Sequence, residues 1–277
     1  MEYIPQVGTG NYNEDTVRLY TDYALMTADQ AIGADAAHVF NALSMGEVLE
    51  ESRELMVAPA CLRPKILALI DREIEAARAG EEACLGFKLN GLTDKVLIEK
   101  FIEASQAGVK IDLVVRGICC LIGGVPGKTD NIRVISIVGR YLEHARIYIF
   151  GPEERRQVYI SSADFMTRNT SKRVEVAAPV HDPVLRAQLE EMFRCELRDT
   201  AKGRRQQPDG SYVRMEGEPF NSQERFCDEA YRGAWTVTAP AKPGKKQTGS
   251  AEGAEPPEAK TTTRRGLLGR LFGRDQG

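Results

Sequence analysis

Apolar positions in the middle of the chain follow two different periods. Residues 84–89 (CLGFKL), 109–116 (VKIDLVVR) and 132–138 (IRVISIV) are short apolar runs, which are typical of buried strands. Between the first two, residues 93–107 repeat apolar side chains at helical spacing, and Thr93 is the expected N-cap. This strand–helix–strand order predicts parallel neighbouring strands joined by a right-handed crossover.

Similar patterns flank this central unit. They predict helices at residues 29–43, 65–79 and 182–198, and strands at residues 16–27, 141–150, 157–161 and 173–179. Order is expected to decay after Thr200, where the chain is charged and polar, before a short helix at residues 221–231. The whole pattern predicts an α/β protein with a mixed, largely parallel sheet flanked by helices.

Composition narrows the class of protein. The chain has 277 residues, of which 42% are hydrophobic, enough for a packed core. Its formal net charge of -3 provides no overall basic field, so we expect no nucleic-acid partner. The 6 cysteines form neither a CxxC pair nor a metal-ligand cluster, so no metal site is predicted and a reducing cytoplasm is the expected location. Roughly 18 consecutive apolar residues would be needed to span a membrane, and no such run occurs.

A histidine and an arginine open the apolar run at residues 141–150. His144 and Arg146 are two residues apart, and the polar turn at residues 161–164 follows the next strand. Imidazole exchanges a proton near neutral pH, and guanidinium neutralises phosphate oxygens, so this combination favours phosphoryl chemistry. A histidine that caps a strand beside an arginine in a surface ion pair would give the same spacing, and the two interpretations stay open on these residues alone.

Other polar residues fall near the ends of predicted strands, where open α/β sheets bind ligands. The candidates for phosphate contacts are Lys88, Asn90 and Arg116 at these strand ends, Arg173, which instead opens its strand, Arg168, and the small polar turn at Gly8, Thr9 and Asn11. Several cations near one histidine suit a ligand with several phosphates. Each cation taken singly is more often a solvated surface charge.

The C-terminal region has a different composition. Residues 240–263 are rich in Ala, Pro, Gly, Lys, Glu and Thr and are expected to be disordered. Residues 264–274 combine arginines with apolar side chains, which suits weak contact with an anionic membrane or a protein groove. The alternative is that residues 264–274 form a frayed tail whose arginines keep it in solution.

Six stretches carry a family resemblance. They read GTGNYNEDTVRLYTDY, FKLNGLTDK, SQAGVKIDLVVRGICCL, NIRVISIVGRYLEHARIYIF, YISSADFMTRN and RVEVAAPV, and they span roughly residues 3–200. The sequence resembles the C-terminal part of long-form bacterial polyphosphate kinase, a histidine-dependent family with phospholipase D-like catalytic domains. The resemblance implies reversible transfer of the terminal phosphate of ATP to polyphosphate through a phosphohistidine, with Mg²⁺ accompanying ATP.

The resemblance also implies roles for particular residues. His144 corresponds to the second essential histidine, which acts on the leaving or entering phosphate, and Tyr20 to the tyrosine that contacts adenine. Arg116 and Arg173 correspond to arginines that face the phosphates of the nucleotide. The turn from Gly8 to Asn11 corresponds to a polar turn of the first half-site.

One departure from the family pattern affects the expected activity. The histidine that carries phosphate in the family lies in a KTHxK-type motif upstream of the GTGN turn, and this chain does not contain that motif. Gln6 also stands where the family commonly has a histidine. The ligands of Mg²⁺ are therefore expected outside the chain, and transfer is expected to need a separate amino-terminal fragment. An oligomer is expected, and residues before Ser44 are expected to pack poorly without a partner.

The domain organisation follows from the same resemblance. Residues 1–50 are expected to be a remnant of a first phospholipase D-like domain and residues 51–200 a second one. Residues 201–239 are expected to form an extension, and residues 240–277 a basic tail that could bring the protein to the periphery of the inner membrane. Two other functions stay open: a nucleotide- or polyphosphate-binding module without turnover, and a phospholipase D-like phosphodiesterase that uses His144 in a homodimer.

Overall fold

A computed structural model describes residues 2–232. The predictions for residues 240–263 and 264–274 lie outside these residues. Within the described range, no helix is both long enough and apolar enough to cross a lipid bilayer.

The described residues contain thirteen strands and six α-helices. The strands are β1 (Gln6–Gly8), β2 (Tyr20–Thr21), β3 (Ala24–Met26), β4 (Met56–Ala58), β5 (Cys84–Leu89), β6 (Lys110–Val115), β7 (Ile132–Ile137), β8 (Leu142–Glu143), β9 (Arg146–Phe150), β10 (Gln157–Ser161), β11 (Glu175–Pro179), β12 (Gly203–Gln206) and β13 (Tyr212–Arg214). The helices are α1 (Gln30–Ser44), α2 (Leu62–Arg78), α3 (Lys95–Gln106), α4 (Thr167–Ser171), α5 (Pro183–Leu197) and α6 (Ser222–Arg232).

Nine of the strands form one sheet in the order β13-β12-β7-β6-β5-β9-β10-β11-β4. The pairs β5·β6 and β6·β7 are parallel, as the strand–helix–strand pattern predicts. The other neighbours in the sheet are antiparallel. The prediction of a mixed sheet flanked by helices is confirmed. Its description as largely parallel is wrong, because parallel pairing within this sheet is confined to β5, β6 and β7.

Both faces of the sheet are covered. On one face, Ile66 and Ile70 of α2 and Phe101 of α3 are fully buried against strand residues such as Phe87 and Leu113. On the other, α5 packs Phe193 into a second apolar cluster. Because strands buried on both faces carry apolar residues at successive positions, the central strands read as continuous apolar runs rather than alternating ones.

Helix starts follow from local capping chemistry. The side chain of Asp29 accepts hydrogen bonds from two backbone N–H groups at the start of α1, and Asp182 does the same for α5. Asp94, and not Thr93, is the N-cap of α3, since its carboxylate accepts from the N–H groups of Val96 and Leu97. The sequence prediction of Thr93 is therefore corrected by one residue.

Two regions differ from the sequence prediction. Residues 16–27 form a short 3₁₀ turn and the strands β2 and β3 instead of one continuous strand. The charged region after Thr200 is ordered: β12 pairs with β7 and so extends the large sheet, and β13 pairs with β12. In both regions the strands are short and partly exposed, so hydrophobic periodicity gives little signal.

The first helix also packs better than predicted. Ile32 and Val39 of α1 are buried and share an apolar cluster with Leu55, Val57 and Ala178. The expectation that residues before Ser44 pack poorly is therefore wrong for this face of α1.

Candidate phosphate-binding site

An open cleft of about 420 Å³ lies where β5, β6, β9 and β10 end or begin. Most of the sequence candidates line it: Thr9, Asn11, Asn90, Arg116, His144, Arg146, Arg168 and Arg173. The cleft thus gathers residues from five separate stretches of the chain. His144 and Arg116, whose proximity the phosphate interpretation required, share it.

Three arginines give the cleft its charge. Within residues 2–232, Arg116, Arg168 and Arg173 have no carboxylate within 4.0 Å. Arg116 is held in place by a hydrogen bond of 2.5 Å from its Nε to Asn90 Oδ1, and burial lowers its pKa. A guanidinium that is partly desolvated and lacks a carboxylate partner attracts an anion strongly.

His144 is oriented by a carboxylate. Its Nδ1 lies 2.9 and 3.1 Å from the two carboxylate oxygens of Asp22. An ionised carboxylate can only accept hydrogen bonds, so Nδ1 carries the proton and donates a hydrogen bond to Asp22. Nε2 is then the ring nitrogen without a proton and can accept one, and Arg146 Nη1 lies near it. Asp22 is absent from the sequence-predicted site because the pair is separated by 122 residues.

Tyr20 lies beside the histidine but outside the cleft itself. Its ring centroid is 4.8 Å from that of His144, with the planes tilted by 43°. It lines a neighbouring cavity together with Gly8, Asn11 and Asp22. Gly8 therefore lines this neighbouring cavity, and its contact with phosphate stays a prediction.

Arg146 joins three parts of the site. Its Nε and Nη2 bind the two oxygens of Asp164 at 3.2 and 2.8 Å, and its Nη1 donates to the backbone carbonyl of Thr9 at 2.9 Å. Nη1 also lies 3.2 Å from His144 Nε2. Most of its donors are thus engaged, so this side chain holds the Thr9 turn against the histidine, and its contact with phosphate stays a prediction.

Gly10 makes the Thr9 turn possible. A Cβ atom at this position would lie 2.1 Å from a carboxylate oxygen of Asp22, which is far inside van der Waals contact. Thr9 Oγ1 donates to the same carboxylate at 2.7 Å. The turn therefore needs glycine at position 10 to let Asp22 reach both Thr9 and His144.

The cleft is also lined by Ser162, Asn169 and Glu175, which the sequence does not single out as contacts. Glu175 accepts hydrogen bonds from Ser162 Oγ at 2.5 Å and from Asn169 Nδ2 at 2.6 Å. Asn169 Oδ1 is buried and has no hydrogen-bond partner among the described residues. Asn169 Oδ1 can therefore accept a hydrogen bond from a donor on a ligand. The only sequence feature that points to this part of the cleft is the polar turn at Ser161–Asp164.

Lys88 does not reach the cleft. Its side chain is 1% exposed, and its Nζ is paired with Glu143 at 2.5 Å and with Glu196. The predicted phosphate contact of Lys88 is wrong. Its ammonium group is buried and paired with two carboxylates, so it is not accessible to a ligand in the cleft.

The acidic residues near the cleft do not form a metal site. Asp164 is paired with Arg146, and Glu175 is held by Ser162 and Asn169. No group of three or more His, Cys, Asp or Glu residues in the described part of the chain is placed to hold a metal ion. The residues present therefore do not fit a protein-bound Mg²⁺.

A cleft at the edge of an α/β sheet, with uncompensated guanidinium groups beside an oriented imidazole, is typical of proteins that bind phosphate groups. Comparison with known proteins gives the family. Residues 55–224 match the family model for the polyphosphate kinase C-terminal domain 2, and residues 1–48 match the model for the polyphosphate kinase C-terminal domain 1. The chain belongs to the polyphosphate kinase family, as its sequence motifs predict.

Individual relatives agree with this assignment. Polyphosphate kinase of Bacillus anthracis is 43% identical over 235 residues, which are 84% of this chain and 34% of that protein. The enzyme of Staphylococcus haemolyticus is 46% identical over 228 residues, 82% of this chain and 32% of that protein. The crystal structure of polyphosphate kinase from Porphyromonas gingivalis matches with a TM-score of 0.76 and 38% identity, over 83% of this chain and 36% of that chain. The chain thus spans about a third of the length of these relatives.

Proposed function

We propose that this chain contributes the His144 half of a site that transfers phosphate reversibly between ATP and polyphosphate. The observation that carries the proposal is the cleft in which the Asp22-oriented imidazole of His144 faces three arginines without carboxylate partners. Phosphoryl transfer depends mainly on positioning and on charge stabilisation, and the cleft supplies groups for both.

In the proposed reaction, the bond between the terminal phosphorus of ATP and its bridging oxygen breaks, and a phosphorus–nitrogen bond forms on a second histidine. ADP leaves, and a terminal oxygen of polyphosphate then attacks the phosphorus and releases the histidine. Arg116 and Arg173 neutralise phosphate oxygens in both steps. His144 holds or releases a proton at Nε2, next to the leaving or entering phosphate.

The second histidine is proposed to belong to a separate segment. The sequence has 3 histidines. His38 lies in α1, and His181 is exposed and paired with Glu54 at 3.0 Å, so His144 is the one that lines the cleft. An amino-terminal polyphosphate kinase fragment is the proposed partner, and Mg²⁺ is expected to arrive with ATP.

The proposed domain division has residues 1–50 completing one catalytic domain and residues 51–200 forming the second. The two family models support a boundary near residue 50, because they match residues 1–48 and 55–224. The extension at residues 201–239, the tail at 240–277, oligomerisation and membrane contact through residues 264–274 stay predictions.

Complementation tests the activity. The full chain would be mixed with the amino-terminal segment of a relative, and ATP formed from ADP and polyphosphate would be measured. We expect ATP formation that neither piece supports alone and that His144→Ala reduces by about 10²- to 10⁴-fold, the usual contribution of a positioned acid or base. His181→Ala is the matched control, because it removes a histidine outside the cleft.

The same preparation separates transfer from simple binding. Saturable binding of polyphosphate by the chain, with no ATP formed in the complemented mixture, would replace the transfer proposal by a binding module. Equal ATP formation by the wild type and His144→Ala would remove His144 from the mechanism.

A further inference from the structure

A fully buried charge cluster lies directly beneath the His144 site. Lys88 of β5, Glu143 of β8 and Glu196 of α5 are 1%, 2% and 1% exposed. Lys88 Nζ lies 2.5 Å from Glu143 Oε2 and also contacts Glu196 Oε1. Burying three ionisable groups costs free energy unless they are well paired, so such a cluster needs an explanation beyond stability.

Glu143 is the centre of this cluster. Besides Lys88, it accepts a hydrogen bond from Thr21 Oγ1 at 2.9 Å and one from Gln223 Nε2 at 2.5 Å. One carboxylate therefore joins β2, β5 and α6 to its own strand, β8.

The residues tied together in this way are direct neighbours of the site. Thr21 lies between Tyr20 and Asp22, and Glu143 immediately precedes His144. The strands β2 and β8 that carry them pair over only two residues. Two backbone hydrogen bonds hold the Tyr20–Asp22 segment against residues 142–145, from the N–H of Leu142 to Leu19 and from the N–H of Ala145 to Thr21. The buried side chains add further contacts.

We propose that the Lys88–Glu143–Glu196 cluster is the positioning device of the His144 site. It fixes β2 against β8, so that the Asp22 carboxylate meets Nδ1 of His144 and the Tyr20 ring lies beside the imidazole. Lys88 and Glu143 touch no substrate and act through these neighbours. The consequence for turnover rests on the proposed function, whereas the geometric claim does not.

The two carboxylates have different parts in the cluster. Burial raises the pKa of Glu196 to about 8. Burial acts in the same direction on Glu143, but the charge of Lys88 and its hydrogen bonds outweigh it and lower the pKa to about 2. The hydrogen bonds agree with this difference, because Glu143 contacts Lys88, Thr21 and Gln223, whereas Glu196 contacts Lys88. Glu143→Gln should therefore change the site much and Glu196→Gln should change it little.

Long-range ¹⁵N–¹H spectra of the full chain test this directly, because they report the protonation and fixation of each imidazole and the chain has only 3 histidines. In the wild type we expect His144 protonated at Nδ1 in one fixed form. Glu143→Gln should replace it by an exchange-averaged signal, as Asp22→Asn does, whereas Glu196→Gln should keep the wild-type signal. In the complemented enzyme, Glu143→Gln should lower kcat on the order of tenfold or more.

Two further variants keep the test decisive. Thr21→Val removes the hydroxyl contacts with Glu143 and with the backbone carbonyl of Leu142 but leaves all three cluster residues in place, so it decides the question if Glu143→Gln fails to fold. Glu73→Gln is the matched control, since Glu73 is 0% exposed and paired with Arg155 at 2.8 Å outside the cluster. It should lower stability without altering the His144 signal. An unchanged His144 signal in folded Thr21→Val and Glu143→Gln would overturn the proposal, whatever the turnover assay shows.

Discussion

Asp22 determines which nitrogen of His144 carries the proton. The carboxylate contacts Nδ1 and also accepts from Thr9 Oγ1, so the imidazole, the turn and β2 are fixed together. An asparagine at position 22 retains the shape but offers an N–H as well as a carbonyl oxygen, so it no longer imposes one tautomer.

Asp22→Asn is therefore expected to lower ATP formation by the complemented enzyme by about 10²-fold or more, with the fold intact. The rate of ATP formation and the circular dichroism spectrum of this variant would be compared with those of the wild type. Asp15→Asn, which changes an exposed acid in the same region, is the control. Full activity of Asp22→Asn would show that the orientation of the ring does not matter for transfer.

Gly10→Ala should disturb the same contacts from the other side. The added Cβ would meet the Asp22 carboxylate at 2.1 Å, so either the turn or the aspartate must move, at a cost of about 1–3 kcal/mol of stability. Gly8→Ala is a close comparison, because its nearest neighbour would be 3.6 Å away. Chemical denaturation of both variants measures the difference, and equal midpoints would contradict the steric argument.

Several site residues could be predicted from the sequence, for a simple reason. Asn90 and Arg116 follow apolar strands, and a strand end places its residues at the sheet edge whatever the rest of the chain does. Asp22 and Glu175 could not be predicted, since their partners depend on how distant segments meet. Lys88 looks like a ligand contact in the sequence because it lies near a strand end. Its burial depends on Glu143 and Glu196, which are distant in the sequence.

At the scale of elements, the buried strand β5 and the capped helices α1 and α5 match their predicted positions closely. The hairpin β12–β13 does not, because half of β12 is arginine and the signal for a strand is lost. The direction of the outer strands was also beyond prediction. Periodicity identifies a strand but not its neighbour, so β9, β10 and β11 read the same in parallel or antiparallel pairing.

The packing of α5 buries Glu196, and this makes the free energy of unfolding depend on pH. Glu196 on this helix faces Lys88 of β5, Glu143 of β8 and Tyr23, and its folded-state pKa is raised from 4.5 to about 8 by burial. Between these values the unfolded chain loses a proton that the folded chain keeps. The contribution of this group to stability is thus present below pH 4.5 and lost as the pH rises through about 8.

Thermal unfolding between pH 5 and 9 is expected to show this loss in the wild type and a flatter profile in Glu196→Gln. Glu190→Gln is a suitable comparison, since that carboxylate lies on the same helix but pairs with Arg156 and Arg194. Parallel profiles for the wild type and Glu196→Gln would mean that Glu196 does not titrate in this range.

For the whole molecule, a ligand that binds only the folded state should raise the melting temperature. Tripolyphosphate at about 100 times its Kd would add about 2.7 kcal/mol of stability. We expect the shift to be largely absent in Arg116→Gln and retained in Arg78→Gln, whose arginine pairs with Glu103 away from the cleft. Differential scanning calorimetry at several salt concentrations would measure it, and equal shifts in both variants would place the phosphate elsewhere.

The contact between β2 and β8 has a consequence for biosynthesis. It joins residues about 120 positions apart, and Gln223 completes the bonding of Glu143 from near the end of the described chain. Such non-local contacts form late in folding. A ribosome-bound chain that stops short of α6 should therefore contain a finished central sheet but lack the Gln223 hydrogen bond to Glu143, so the Tyr20–Asp22 segment should be fully fixed against His144 only after α6 has been made.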